Sequence, residues 1–166
     1  MDAEAIEEIR GLKARYVRCV DLKLWAELGE LLTDDATADY GTRSRGGPER
    51  LDGRQAVLDY LRGVLDNDIA TSHLLGSHEI HVDGDSATGT WSFQDKVLVP
   101  AHGVIVEGAA YYEDRYVRGP DGAWRIASTG YMRLYEHVQS MDQLPGFHLL
   151  VNRWSERAAA GGGENA

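Results

Sequence analysis

A chain of 166 residues, 43% hydrophobic and 27% charged, has the size and composition of one globular domain, which excludes disorder and fibrous repeats. Its formal net charge of −10 repels phosphate backbones and anionic headgroups, so no nucleic acid is expected as a partner, and no run of about 18 apolar residues offers a membrane span. The single Cys19 cannot close an intramolecular disulfide, and Met1-Asp2-Ala3-Glu4-Ala5 is acidic where a secretory leader is basic, so the expected location is the cytoplasm.

Ile6, Ile9, Leu12, Tyr16 and Val20 recur every three or four positions, the stripe of an amphipathic helix over about residues 3–20. The stripe restarts at Trp25, Leu28, Leu31 and Leu32, with Asp21 placed to cap the new helix. Residues 36–40 read as a short strand, and Gly41 to Pro48 as a loop. A third helix follows on Ala56, Val57, Tyr60, Leu61 and Val64, with Asp52 as its cap.

From about residue 73 the period changes to two. His78, Ile80 and Val82 share one face, Asp83-Gly84-Asp85 turns the chain, and Ala87, Gly89, Trp91 and Phe93 share a face of the next strand. Strands over about 103–118 and 123–136 meet at the turn Gly119-Pro120-Asp121-Gly122. A last helical stretch spans about 147–157. The whole is expected to be one domain over 1–158 with a disordered tail at 159–166. Helices first and antiparallel strands after give an α+β fold, the helices packed on one face of a strongly curved, mainly antiparallel sheet.

Asp21 follows the apolar Val20 at a helix junction; it is either a cap or an inward-facing carboxylate. His73 stands where Thr71 and Ser72 give way to Leu74 and Leu75, and imidazole is the side chain suited to both taking and giving a proton near neutrality. Taken together, an Asp that accepts from one ring nitrogen makes the other nitrogen a stronger base, able to remove a proton beside a carbonyl. Tyr16 lies five residues before Asp21, about 140° around an ideal helix, so the two converge only if the chain turns there. Its phenol could polarise a carbonyl, or be a core tyrosine; Tyr40 and Tyr131 pose the same choice.

Asp95 ends an apolar-alternating strand and Arg133 lies in the last one. Each is read first as a surface residue and second as a substrate contact, Arg133 toward an anionic group. Trp91 and Phe93 would line an apolar pocket or fill the core. Of the six histidines, His78 and His81 are three apart on a strand and point to opposite faces, so no chelating pair results and no metal is expected. No GxGxxG, P-loop or GxSxG segment is present.

Tyr16-Val17-Arg18-Cys19-Val20-Asp21-Leu22-Lys23-Leu24-Trp25, Leu31-Leu32-Thr33-Asp34-Asp35-Ala36 and Asp39-Tyr40-Gly41 resemble the opening of SnoaL-like proteins of the nuclear transport factor 2-like superfamily. Thr71-Ser72-His73-Leu74-Leu75-Gly76 and Asp121-Gly122-Ala123-Trp124-Arg125-Ile126 extend the resemblance over about residues 5–137. It implies a cone-shaped α+β barrel, commonly a homodimer. Asp21 and His73 look like the Asp–His pair of scytalone dehydratase, bile-acid 7α-dehydratase and hexachlorocyclohexane dehydrochlorinase. Tyr16 is placed like a tyrosine of the bile-acid enzyme, and Tyr40 resembles one of scytalone dehydratase. The second histidine of scytalone dehydratase has no counterpart at Gly108-Ala109-Ala110, and His102 comes too early for that place.

The implied activity is a cofactor-independent lyase of dehydratase type. Its substrate would be a small apolar hydroxy-carbonyl compound, polycyclic ones included, with Asp21, His73 and Tyr16 catalytic and Tyr40, Trp91, Asp95, Tyr131 and Arg133 at the substrate. An isomerase or polyketide-type cyclase using the same base, and a non-catalytic binding domain, are the alternatives, because the fold alone does not fix function.

Overall fold

The computed structural model describes residues 2–41 and 49–155. Helices α1 (Ala3–Leu22) and α2 (Trp25–Glu30) come first, then β1 (Leu32–Tyr40), β2 (Glu49–Asp52) and α3 (Arg54–Leu65). Four long strands complete the fold: β3 (Ala70–Asp83), β4 (Ser86–Val99), β5 (Val104–Arg118) and β6 (Trp124–Ser140). They form one open sheet in the order β2-β1-β6-β5-β4-β3, strongly curved, with α1 packed against β3 and α3 against β1. The α+β reading therefore holds, as a mixed sheet: β1 runs parallel to β6, and every other pair is antiparallel.

Helix α1 ends because Lys23 turns into the left-handed region (φ 55°), so that Leu24 N–H donates to Cys19 O at 2.8 Å and Lys23 N–H to Val20 O at 3.2 Å. These are the two bonds of a Schellman closure, here without its usual glycine. The Lys23 ammonium group then donates to Asn67 O at 2.9 Å and sits 4.5 Å from the Trp154 ring centroid. The C-terminal segment is held there, Asn152 donating to Asp68 O at 2.6 Å.

Several local expectations are corrected. Asp21 lies inside the last turn of α1, and α2 is entered through Leu24 without a side-chain cap. Asp52 likewise does not cap α3: Gly53 does so at φ 96°, and Asp52 ends β2 with its side chain on Arg50. β1 starts at Leu32, because Ile126 N–H donates to Leu31 O and draws the segment onto β6. Among the described residues of 147–157, helix is present only at 153–155. The Gly41–Pro48 loop after Gly41 and the 159–166 tail lie outside the described residues.

Bulges decide which side chains face inward. Between Leu75 and His78 the pairing with β4 slips, so Thr71, His73 and Leu75 share the concave face with His78, Ile80 and Val82 despite their opposite parity. Gly76 sits at this bulge, where a Cβ would come within 2.5 Å of Ser92 Oγ. Two further slips in β6 keep Ile126, Tyr131, Arg133 and Glu136 on the inner side.

Candidate active site

The last turn of α1 and the first half of β3 meet at Asp21. Its Oδ1 accepts from Thr71 Oγ1 at 2.8 Å and lies 2.6 Å from His73 Nδ1; its Oδ2 accepts the His73 backbone N–H at 2.9 Å. An ionised carboxylate has no proton to give, so Nδ1 is the protonated nitrogen, and in the neutral ring Nε2 carries the lone pair. Burial pushes the Asp21 carboxyl up. The His73 side chain, the His73 backbone N–H and the Thr71 hydroxyl outweigh it, and the group lies below its ordinary value.

His73 lines a cavity of about 290 Å³ bounded by α1, α3 and the concave sheet. Five tyrosines, Tyr16, Tyr40, Tyr60, Tyr112 and Tyr131, share that lining. The Tyr16 and Tyr40 hydroxyls lie 2.7 Å apart. Burial is the largest cause that holds both phenols well above their ordinary value, so each stays an O–H at neutral pH. Phe93 stacks on Tyr112 (centroids 4.2 Å apart) and stands 6.1 Å from the His73 ring, backing the wall. Toward the mouth the lining turns aliphatic, with Val97, Val99, Val104 and Val138, and His102 is there too.

Asp95 and Arg133, first read as surface groups, are buried in this wall with side-chain exposures of 4% and 9%. Asp95 extends the inward parity of Trp91 and Phe93 along β4. Arg133 grips it with both terminal nitrogens, Nη2 to Oδ2 at 2.9 Å, and its Nε contacts Glu136 Oε2 at 3.1 Å. Gly108 makes the room, since a Cβ there would stand 2.7 Å from Arg133 Nη1.

The structure thus brings His73, Tyr16, Tyr40, Asp95, Tyr131 and Arg133 around one space, with Asp21 behind the His73 ring. Trp91 belongs elsewhere: it folds back over Gly89, its indole N–H donates to Tyr116 OH at 2.9 Å, and it stacks on His78. The placement follows from the absent Cβ at Gly89, which leaves a slot the indole fills.

Sequence reasoning missed Tyr60, Tyr112 and a buried pair beneath them. Lys13 Nζ lies 2.7 Å from Asp114 Oδ2 and 3.4 Å from the Tyr112 ring centroid, both side chains of the pair fully buried. Asp114 also accepts from Tyr116 OH at 2.6 Å and Thr129 Oγ1 at 2.7 Å, while burial lowers the Lys13 pKa against the pull of Asp114. The signals were present: Lys13 falls on the apolar stripe four residues after Ile9, and Tyr112, Asp114 and Tyr116 alternate along β5. Among the described residues no group of three or more His, Cys, Asp or Glu side chains could hold a metal ion, and no helix is long and apolar enough to cross a membrane.

An open cone of sheet and helices with an Asp-oriented imidazole at the wall of an aromatic cavity defines a class of small-molecule pocket domains. The sequence profile of the SnoaL-like domain matches residues 1–130, and the chain belongs to that family. An uncharacterized protein of Mycobacterium tuberculosis, Rv2910c, is 34% identical over 121 residues, 72% of this chain and 78% of that protein. The Kfla4162 protein of Kribbella flavida has a similar structure (TM-score 0.70, 27% identity, 82% of this chain and 95% of that one). A putative scytalone dehydratase from Novosphingobium aromaticivorans shares the fold at 19% identity (TM-score 0.70, 84% and 92% covered).

Proposed function

We propose that this chain is a cofactor-independent lyase of dehydratase type acting on a small hydroxy-carbonyl compound. The reading rests on one observation, the 2.6 Å contact between Asp21 Oδ1 and His73 Nδ1 at the cavity wall, which leaves Nε2 as the base. Nε2 takes the proton α to the carbonyl, the Cα–Cβ double bond forms as the Cβ–O bond breaks, and the departing hydroxide receives a proton from the imidazolium to leave as water. Positioned proton transfer of this kind typically contributes about 10²- to 10⁴-fold. The Tyr16–Tyr40 pair shares one proton between its oxygens, and its other O–H is the donor for the carbonyl, where charge develops.

Incubation with a panel of one- and two-ring β-hydroxy ketones, followed by mass and absorbance analysis, tests this. Loss of water with appearance of a conjugated enone is expected, and it disappears in His73→Ala. A His73→Ala variant that keeps full activity would refute the assignment. Recovery of an isomer of unchanged mass would move the reading to an isomerase that returns the proton to another carbon.

The chain is further read as a homodimer, through the convex face of the sheet. There Leu74, Tyr111, Met132 and Leu134 are exposed beside Gln94 and Ala109, an uncharged patch on a chain of net charge −10, through which two copies can approach. The single buried thiol of Cys19 is consistent with a cytoplasmic location.

A further inference from the structure

The charge of the cavity wall bears on which ligands can enter, and Arg133 is the group that decides it. All three of its guanidinium nitrogens face carboxylates: Nη1 and Nη2 those of Asp95, Nε that of Glu136. Its Nη1 edge is closed by the backbone at Gly108, and its plane lies 5.0 Å from the Tyr131 ring centroid. An arginine committed in this way has no free fork with which to grip a ligand carboxylate or phosphate.

The surrounding charges do not restore one. At the lining Asp95 is matched by Arg133, and just behind it stand two further carboxylates, Asp21 against the His73 ring and Glu136 against Arg133 Nε. Lys13 is cancelled by Asp114 below the floor, and Lys96, next to Asp95 on β4, is spent on Glu107 at 2.5 Å. The cavity and the shell of side chains behind it therefore hold more carboxylates than guanidinium and ammonium groups, in a low-dielectric space. The whole chain, at −10, adds to that excess.

Size narrows the class further. About 290 Å³ equals the liquid volume of roughly ten waters and sits at the lower end of small-molecule pockets. One or two rings fill it, and a four-ring skeleton would have to reach out through its open side. Aromatic walls with the Tyr16–Tyr40 donors at the floor suit a flat ligand that carries a neutral oxygen.

We infer that this cavity selects an uncharged one- or two-ring compound and rejects its carboxylate counterpart. The inference rests on the site assigned above but is read by binding alone. Elimination can fail to appear while the selectivity stands, and turnover can be found while the selectivity fails.

The experiment is calorimetric titration of the full chain at pH 7.5 with 2-naphthamide and with 2-naphthoate, two molecules of the same shape that differ in charge. One carboxylate charge about 8 Å from the ligand, in an effective dielectric near 20, is worth roughly thirtyfold, so the amide is expected to bind at least about tenfold tighter. Equal or tighter binding of the naphthoate overturns the inference, as does failure of both probes to bind at low millimolar concentration. Glu136→Gln removes one carboxylate behind the wall and leaves Asp95 on Arg133; in the folded variant the amide-to-acid ratio should shrink several-fold. An unchanged ratio would also overturn it.

Discussion

Asp21→Asn separates a carboxylate that orients His73 from one that merely fits beside it. The His73 backbone N–H can only donate, so the carbonyl oxygen of the introduced amide must take the place of Oδ2 and its nitrogen that of Oδ1. That nitrogen then donates to Thr71 Oγ1 and to His73 Nδ1, which becomes the unprotonated nitrogen, and the proton moves to Nε2. Every hydrogen bond survives, but three that were charge-assisted become neutral, at roughly half their strength. Against this stands relief from burying the charge, which leaves a net loss of about 1–2 kcal/mol, or roughly 2–8 °C in Tm for a domain of this size. The Asp21 pKa is depressed in the fold, so its stabilisation is present above the ordinary carboxylate value and is lost as pH falls through the folded one. The gap between wild type and variant in urea denaturation should therefore be present at neutral pH and close as the pH falls below the carboxylate range. Long-range ¹H–¹⁵N spectra should show His73 protonated at Nδ1 in the wild type and at Nε2 in Asp21→Asn, with activity falling by about 10²-fold or more. The same tautomer in both proteins, or a stability gap that persists into acid, would refute the orientation argument.

Further expectations concern the polar floor and the outer sheet. Tyr16→Phe and Tyr40→Phe each strand the partner hydroxyl, at a cost of about 1–3 kcal/mol, yet the double variant should lose less than the sum by at least about 0.5 kcal/mol in a denaturation cycle. Lys13→Met leaves the Asp114 carboxylate buried without its cation and should cost about 3–5 kcal/mol, seen as a large fall in Tm; a loss under about 1 kcal/mol would mean that the pair is not desolvated. Gly108→Ala sets a methyl 2.7 Å from Arg133 Nη1 and 2.8 Å from Tyr135 O, so it should destabilise by about 1–3 kcal/mol and weaken ligand binding together. Leu134→Asp, on the convex face, should halve the mass measured by light scattering at micromolar concentration and leave the cavity residues unperturbed.

How much of this site was legible in the sequence depends on where backbone register entered. The stripe through Ile9, Leu12, Tyr16 and Val20 fixes the inward face of α1, and the alternation Ala87, Gly89, Trp91, Phe93 fixes that of β4, because both follow ideal periods. Asp95 was within reach by carrying the same parity one step further; charge alone suggested a surface. Trp91 shows the converse failure: parity puts it on the concave face, but the gap at Gly89 lets its ring turn toward Tyr116 and away from the cavity. The parallel pairing of β1 with β6 joins segments about 90 residues apart and leaves no local trace.

The bulges explain why the functional pair was harder to place than the fold. On a regular strand His73 and His78 would face opposite sides, and an inward His78 would have turned His73 outward, away from α1. The slip between Leu75 and His78 reconciles them, and it lies at Gly76, against which Ser92 Oγ packs too closely for a side chain. A residue that contacts no ligand thereby controls where the imidazole points. Gly76→Val, which cannot keep the bulge without displacing Ser92, should shift the His73 ring resonances and reduce ligand binding even where the protein remains folded. Unaltered His73 resonances in that variant would show that Asp21 alone holds the ring.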